Sequence, residues 1–271
     1  MSWFEAAVLG VIQGLTEFLP ISSSAHQLIL GRLAGWGDPG AAFTAVTQIG
    51  TESAVLVYFR HDLVRLFKGF VSSFGTRTLE TEDQRTAWFV VVGSLPIMVI
   101  GFLAKDFVEG GARNLILVGS TLILGALLLA FADARATGHR SLQMLTVNVA
   151  LVLGLGQSLA LIPGISRSGA TIAVGLLLGF SRLAATRFSF LLAIPAVLVS
   201  GVYELRKIGE ETVAWGPTLL ATAVSFAMGW AVINWLLRFV STHTFRPFVV
   251  YRLVLGTAVL AFVGSGVVTT V

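Results

Sequence analysis

A cluster of polar side chains near the start of the chain has the composition of a reactive site. Glu17 follows Gln13 by four residues, so both side chains project from one face of a helix. Ser22 and Ser23 precede His26 by four and three residues, so either hydroxyl can lie beside the imidazole. A serine–histidine pair is the minimum for an activated nucleophile or a proton shuttle. Glu17 can accept a proton or bind a divalent cation.

A second polar cluster, at residues 163–171, has the features of a phosphate site. Arg167 supplies a positive charge and a planar fork of N–H donors that suits phosphate oxygens. Thr171 follows it by four residues and adds a hydroxyl to the same helical face. In each cluster a serine is expected to cap a helix, Ser22 in the first and Ser166 in the second. Helix N-termini favour anions, and phosphate is the anion that they most often bind.

Each of these polar residues also has a purely structural interpretation. Serines in membrane helices often only cap helix ends or bond neighbouring helices, which is the alternative for Ser24 and Ser168. His26 can be a satisfied interior histidine, and Glu17 with Arg167 can form an ion pair that has no further role. Taken alone, the two clusters do not separate an enzyme from a transporter.

The composition predicts a helical integral membrane protein. The chain has 271 residues, of which 55% are hydrophobic and 12% are charged, and its mean hydropathy is +0.87. A soluble domain carries about 25% charged residues, and a β-barrel would show alternating segments of about 10 residues instead of long apolar runs. Cysteine is absent from the sequence, which excludes disulfides, thiolate nucleophiles and cysteine metal sites.

Six segments are long and apolar enough to cross a bilayer, which takes about 20 residues. They are Phe43–Phe59, Ala87–Ala104, Leu115–Ala132, Phe188–Tyr203, Trp215–Leu237 and Phe248–Val268. Two further apolar regions, Trp3–Trp36 and Leu145–Phe180, are each interrupted by one of the polar clusters. Because each is longer than one span needs, both are predicted to be re-entrant hairpins, with one kinked span as the alternative. The polar stretch from His61 to Arg85 is predicted to be a solvated connector.

The two broken regions resemble each other at an offset of 144 residues. The matched pairs include Gly10 with Gly154, Gln13 with Gln157, Ser22 with Ser166 and Ser24 with Ser168. The repeat predicts a single membrane domain of two units, about residues 1–135 and 140–271. Each unit would hold one hairpin and three spans, so the second is inverted and the breaks converge near the midplane. Lys and Arg are in excess after the first span, whereas the opposite side holds only Arg32, Lys105, Arg113, Arg206 and Lys207. This asymmetry predicts a cytoplasmic loop and external termini.

The segment from Gln13 to His26 resembles the first motif of the undecaprenyl pyrophosphate phosphatase family, of the bacitracin-resistance type. That motif pairs Glu or Gln with a Glu four residues later, ahead of Ser-Ser and His. The segment from Pro163 to Thr171 resembles the second motif of the family, Pro-Gly-x-Ser-Arg-Ser-x-x-Thr. The similarity covers essentially the whole chain, and the two motifs together are highly specific.

The resemblance implies an all-α integral membrane fold of six transmembrane helices and two re-entrant helical hairpins in an inverted repeat. The family removes the terminal phosphate from undecaprenyl diphosphate, a polyprenyl diphosphate lipid, which recycles the carrier for peptidoglycan and confers bacitracin resistance. Its members require a divalent cation, Mg²⁺ or Ca²⁺. They work in the bacterial cytoplasmic membrane with the site open to the outer face. No nucleic-acid partner is expected, and a homodimer is left open.

The resemblance also implies a role for each residue of the motifs. The expected catalytic residues are Glu17, Ser23, His26 and Arg167. The expected phosphate-binding residues are Ser22, Ser24, Ser166, Arg167, Ser168, Gly169 and Thr171, and the expected metal ligands are Glu17 and Gln13. Glu52 departs from the family, since many members are expected to be apolar there, and it is a further candidate to supplement the missing carboxylate. Gln13 stands where many members have Glu, so metal binding rests more on Glu17. Ser23 is the expected nucleophile with His26 as base or acid, and the alternative is attack by a water that Glu17 or His26 activates.

Two other functions compete with this interpretation. A transporter or flippase of a polyprenyl phosphate lipid would also use an inverted repeat. The other lipid phosphatase superfamily requires a Ser-Arg followed at fixed spacing by His and Asp, and the Ser166-Arg167 pair is followed by neither.

Overall fold

The described part of the chain is almost entirely helical. The computed structural model describes residues 1–37, 40–76, 79–104, 114–207 and 214–266, which form eleven α-helices and no β-strand. The helices are α1 (Trp3–Thr16), α2 (Ser23–Leu33), α3 (Ala41–Tyr58), α4 (Arg60–Thr76), α5 (Glu82–Leu103), α6 (Leu115–Ala134), α7 (Val147–Ser158), α8 (Arg167–Leu177), α9 (Arg182–Lys207), α10 (Trp215–Thr242) and α11 (Arg246–Gly264). The all-helical class predicted from the sequence is therefore confirmed.

Polar side chains ahead of several helices explain where those helices begin. Ser2 and Glu5 form a capping box at the start of α1. Thr81 and Gln84 form a second one at the start of α5. Asn114 accepts hydrogen bonds from two backbone N–H groups in the first turn of α6. Each such cap contributes about 1 kcal/mol by satisfying N–H groups that have no partner within the helix.

Five of the six predicted spans are helices long and apolar enough to cross a bilayer, namely α5, α6, α9, α10 and α11. The sixth, α3, is a helix of 18 residues that does not belong to this group. Its buried face carries Thr47, Thr51 and Glu52, and these polar side chains lower its hydropathy. The chain is a multi-pass membrane protein. Lys105, Arg113 and the predicted end of the last span at Val268 lie outside the described residues.

The stretch predicted to be a solvated connector contains helix α4 instead. One face of α4 exposes large apolar side chains at helical spacing, namely Val64, Phe67, Val71 and Phe74. Arg65 and Lys68 are exposed as well, and the opposite side of the helix packs on α5. An apolar stripe beside cationic side chains is typical of a helix that lies in a membrane interface. Charged residues lie between the apolar ones along the sequence, so the stretch is polar on average although one helical face is apolar.

Both predicted breaks are present, at residues 17–22 between α1 and α2 and at residues 159–166 between α7 and α8. Each break ends in a serine with a left-handed backbone, because Ser22 and Ser166 both have a φ of 75°. A left-handed residue other than glycine costs about 1–3 kcal/mol. Two such serines at matched positions of the repeat therefore require surrounding contacts that hold them in place.

The two halves of the chain pack on each other in a reciprocal way. Helix α1 packs on α10, and α7 packs on α5. Gly10 lies against Ala221, where an added Cβ would come within 2.6 Å of the Ala221 carbonyl oxygen. Gly154 lies equally tightly against the backbone of Gly93. Since only glycine lets two backbones approach so closely, each broken region is paired with a long helix from the other half.

Candidate active site

An arginine and two carboxylates from three separate segments meet at one buried point. Arg167 begins α8, Glu17 stands at the end of α1, and Glu52 lies in α3. Arg167 Nη2 donates to Glu17 Oε1 at 2.6 Å and to Glu52 Oε1 at 3.2 Å. The arginine side chain is 16% exposed and each carboxylate side chain is 7% exposed. The prediction that the two breaks converge is confirmed, and Glu52 belongs to the same group.

The second carboxylate oxygen of Glu17 accepts hydrogen bonds from a hydroxyl and an amide. Ser23 Oγ donates to Glu17 Oε2 at 2.7 Å, and Gln13 Nε2 donates to the same oxygen at 3.1 Å. Gln27 Nε2 donates in turn to Gln13 Oε1 at 2.7 Å. The predicted pairing of Gln13 with Glu17 on one helical face is confirmed. A hydroxyl at this distance is within reach of proton transfer, so Glu17 is positioned to receive the Ser23 proton.

The predicted pairing of His26 with a serine hydroxyl is wrong. His26 Nδ1 lies 2.7 Å from the Ser22 carbonyl oxygen, and Nε2 lies 2.7 Å from the Tyr251 hydroxyl. A carbonyl oxygen only accepts, so Nδ1–H donates to it, while Nε2 forms a hydrogen bond with the Tyr251 hydroxyl. Both ring nitrogens are therefore engaged, and the Ser23 hydroxyl bonds to Glu17 instead. A catalytic role for His26 stays a prediction.

The two serines predicted to cap helices behave differently. Ser166 caps α8 as predicted, because its Oγ accepts from the Gly169 N–H at 3.2 Å. The capping prediction for Ser22 is wrong, since its Oγ lies 3.3 Å from Ser24 Oγ and makes no cap hydrogen bond to α2. The first N–H groups of α2 consequently have no side-chain cap and can face a ligand.

Three predicted phosphate-binding residues lie in the protein interior instead of on a cavity wall. Ser168 Oγ donates to the Leu19 carbonyl at 3.0 Å, which joins the second break to the first. Thr171 is fully buried, and its hydroxyl donates to the Arg167 carbonyl at 2.9 Å. Gly169 is also buried, with its N–H bonded as described above. In this structure all three residues stabilise the second break.

A cavity of about 460 Å³ combines a polar end with an apolar end. The polar end is lined by Gln13, Glu17, Ser22, Ser23, Ser24, Gln27, Thr44, Gln48, Ser166 and Arg167. The apolar end is lined mainly by α5 and α9, with Met98, Phe102 and Val199 among its residues. Phe102 and Val199 are 73% and 55% exposed, so this end reaches the apolar outer surface of the helices. The cavity therefore suits an amphipathic ligand.

The donor atoms of the cavity suit a divalent cation that phosphate also holds. The described residues contain no group of three His, Cys, Asp or Glu side chains that could hold a metal by themselves. Mg²⁺ usually rests on one or two carboxylates together with substrate phosphates. Glu17 lines the cavity, whereas Glu52 bonds to the same arginine but lies outside the lining. Gln13 turns its amide N–H towards Glu17 and its oxygen towards Gln27, so its predicted role as a ligand is weaker than that of Glu17.

Four residues tied to the site were not among the sequence-based candidates: Thr44 in the cavity lining, Tyr251 beside His26, Gln27 and Arg252. Gln27 holds the Gln13 amide. Arg252, in α11, is fully buried and donates to Pro20 in the first break and to Ile165 in the second. An arginine inside an apolar span is rare and usually functional. Its position within the predicted span Phe248–Val268 was therefore an available signal.

The fold and the site together define a class: a multi-pass helical membrane protein in which two broken helices assemble a cavity lined by an arginine and a carboxylate. Over residues 6–258 the sequence matches the family described as Bacitracin resistance protein BacA. The chain belongs to this family.

Relatives in other bacteria match the chain along nearly its full length. It is 51% identical to undecaprenyl-diphosphatase 3 of Frankia alni, over 99% of this chain and 97% of that relative. It is 52% identical to the undecaprenyl-diphosphatase of Nocardioides sp., over 99% of both chains. It is 50% identical to undecaprenyl-diphosphatase 2 of Streptomyces coelicolor, over 99% of this chain and 97% of that relative. The resemblance noted on two short motifs is thus confirmed over the whole sequence.

Proposed function

We propose that this protein is an undecaprenyl-diphosphate phosphatase, which hydrolyses undecaprenyl diphosphate to undecaprenyl phosphate and inorganic phosphate. The observation that carries the proposal is the Arg167 guanidinium, bonded to Glu17 at 2.6 Å on the wall of an amphipathic cavity. Relatives with 51% and 52% identity carry the same activity in their names. The reaction recycles the lipid carrier for cell-wall synthesis and counteracts bacitracin.

The membrane arrangement we propose has six spans, α3, α5, α6, α9, α10 and α11, and two re-entrant hairpins, α1–α2 and α7–α8. The hairpin helices have only 14, 11, 12 and 11 residues, whereas a crossing takes about 20. The reciprocal packing of α1 on α10 and of α7 on α5 supports two inverted units in one domain. The basic segment after α3, which contains helix α4, then lies on the cytoplasmic side, and the cavity opens to the outer face of the bacterial cytoplasmic membrane.

The proposed substrate fits the two ends of the cavity. The diphosphate lies at the polar end, where Arg167 and the uncapped start of α2 face it. The first isoprene units lie against Met98 and Phe102, and the remaining tail leaves between α5 and α9 into lipid. Exposed apolar side chains at this mouth support the route, because lipid is the solvent in which such side chains are stable.

The residues of the polar end divide the proposed chemistry among them. Arg167 exchanges part of its contact with the carboxylates for phosphate oxygens and stabilises charge on the transferring phosphoryl group. Ser23 Oγ attacks the terminal phosphorus, the bond to the bridging oxygen breaks, and the Ser23 proton passes to Glu17. Water then hydrolyses the phosphoserine. In the alternative, water attacks directly and Glu17 accepts its proton, while His26 supports the Ser22 carbonyl in both routes.

A divalent cation, Mg²⁺ or Ca²⁺, is the proposed cofactor. Glu17 would hold it together with the substrate, with Glu52 beside it. When bound, the cation supplies neutralisation of phosphate charge. The site has a reason to need one, because two carboxylates and one guanidinium leave a formal charge of −1 before an anionic substrate enters.

Phosphate release in detergent tests the proposed function. Purified protein in micelles should release phosphate from undecaprenyl diphosphate, a chelator should stop the release, and added Mg²⁺ or Ca²⁺ should restore it. Transport cannot contribute, because a micelle has no second leaflet. Absence of release from folded protein with cation present would reject the phosphatase and favour the transporter. Unchanged phosphate release in the presence of chelator would reject the cation requirement but not the phosphatase activity.

A covalent intermediate at Ser23 is the second expected result in this assay. Rapid acid quench during turnover should trap a phosphoserine that peptide mapping places at Ser23, because Ser23 Oγ is the hydroxyl bonded to Glu17. Ser23→Ala should abolish the signal, and Ser24→Ala should retain it, since the Ser24 hydroxyl contacts Ser22 instead. Full turnover in Ser23→Ala would assign the attack to water.

A further inference from the structure

One arginine outside the cavity is bonded to both breaks at once. Arg252 in α11 is fully buried, and each hydrogen bond from its guanidinium to the described residues ends on a backbone carbonyl. Nη1 donates to Pro20 at 3.1 Å, in the first break. Nη2 donates to Gly164 and Ile165 at 3.0 and 2.9 Å, in the second break. Nε donates to Leu122 of α6 at 3.2 Å.

The carbonyls that Arg252 binds stand just before the two strained serines. Ile165 directly precedes Ser166, and Pro20 is two residues before Ser22. Both serines have a φ of 75° and both line the cavity. A left-handed backbone at a residue other than glycine persists only where the surroundings over-determine it. The Arg252 donors supply that constraint in both breaks.

The chemistry of this arginine is poorly suited to simple packing. Within the described ranges its guanidinium forms no salt bridge with a carboxylate, so its charge is balanced only by carbonyl dipoles. Burying an arginine in this way is expensive unless its donors are satisfied, and here backbone carbonyls are what satisfies them. What an apolar side chain cannot do is donate to two separate backbone segments.

We propose that Arg252 is a positioning residue for phosphoryl transfer, which holds Ser22 and Ser166, with the helix starts that follow them, in one shared geometry. The inference rests on the proposed function, because it assumes that both breaks face the same diphosphate. Arg252 lies outside the cavity lining and acts through the backbone. Without it the two breaks relax independently, and the start of α2 no longer faces the same phosphate as Arg167.

Substitution of Arg252 gives the first test. Arg252→Lys keeps the charge but places its donors on one nitrogen, which cannot reach both breaks in the same way. A misplacement of about 1 Å can lower a rate about 100-fold, so we expect that loss in kcat with little change in KM. Arg252→Met, which has no donor at all, should lower kcat more than Arg252→Lys does. Arg187→Lys is the matched control, because Arg187 pairs with Asp62 at a half-exposed position away from the cavity.

A second test displaces the guanidinium without removing it. Gly125 in α6 packs directly against Arg252 Nη2 and lies near the Ile165 carbonyl oxygen, which an added Cβ would approach to 3.1 Å. Gly125→Ala therefore disturbs the bond between Arg252 and the second break, although alanine favours the helix itself. Gly119→Ala is the control in the same helix, since its methyl group would meet Leu260 at 2.9 Å and the Gly256 carbonyl oxygen at 3.2 Å, both in α11, without contacting the guanidinium. We expect Gly125→Ala to lower kcat at least 10 times more than Gly119→Ala. The melting temperatures of both variants are measured alongside, so that the kcat values refer to folded protein.

Each outcome of these tests decides the inference. Near-normal kcat in Arg252→Lys, or equal losses in Gly125→Ala and Gly119→Ala, would make Arg252 a packing group and overturn the proposal. Should the Arg252 variants fail to fold, the two glycine variants decide alone. Wild-type protein is assayed first: no phosphate release there rejects the proposed function, whereas wild-type turnover with unaffected variants rejects only the role of Arg252.

Discussion

Arg167→Ala is expected to lower kcat for undecaprenyl diphosphate by at least about 1,000-fold. The substitution removes the guanidinium that faces the phosphates, and it leaves Glu17 and Glu52 buried without their shared partner. Two uncompensated carboxylates also repel an anionic substrate, so KM should rise as well. Phosphate release from the detergent-solubilised variant, with saturating Mg²⁺ and a thermal unfolding curve, measures both parameters on folded protein.

Two further arginine variants make this result specific. Arg167→Lys keeps the charge and loses the planar fork of donors, so its kcat should lie between those of the wild type and Arg167→Ala. Arg187→Ala removes an arginine that pairs with Asp62 at 2.8 Å outside the cavity, and it should keep near-normal turnover. Near-normal kcat in folded Arg167→Ala would show that phosphoryl transfer takes place elsewhere.

Glu17→Gln is the second large effect, with an expected loss in kcat of about 100-fold to 10,000-fold. Glutamine keeps the size of the side chain but removes its charge. It can no longer receive the proton of Ser23, whose hydroxyl lies 2.7 Å away, and it is a weaker ligand for a cation. A titration of turnover against Mg²⁺ should therefore show a lower maximum and a higher concentration for half activation.

Glu52→Gln is the matched control for that variant. Glu52 accepts from Arg167 at 3.2 Å, and no serine donates to it within the part of the chain that the structure describes. Its amide variant should therefore lose less turnover than Glu17→Gln. The reverse order, with Glu52→Gln the more damaging, would assign the proton-accepting role to Glu52.

Local spacing in the sequence was enough to predict the elements that carry the site. Long apolar runs require helices in lipid, because a helix satisfies its own backbone groups there. Polar and helix-breaking residues at 17–24 and 163–168 interrupt two of those runs, and the structure breaks its helices at both places. The pairing of Gln13 with Glu17 also follows from helical periodicity alone.

Local spacing failed where a partner comes from elsewhere in the chain. His26 stands within one helical turn of two serine hydroxyls, yet its Nε2 forms its hydrogen bond with Tyr251, 225 residues away. The repeat makes Gln13 and Gln157 equivalent, yet Gln13 lines the cavity whereas the buried Gln157 amide has no hydrogen-bond partner among the described residues. The repeat preserves some contacts, such as Ser22 with Ser24 and Ser166 with Ser168, but it does not preserve those of the two glutamines.

The sequence by itself determined that this is a helical membrane protein with two interrupted helices and which side chains stand at each interruption, because hydropathy and helical periodicity act over a few residues. Only the tertiary structure decided which of those side chains touch. The bond from Arg167 to Glu17 joins residues 150 positions apart, and the bond from Arg252 to Pro20 joins residues 232 apart. Such contacts depend on how whole helices pack, since the packing alone brings distant donors and acceptors within bonding distance.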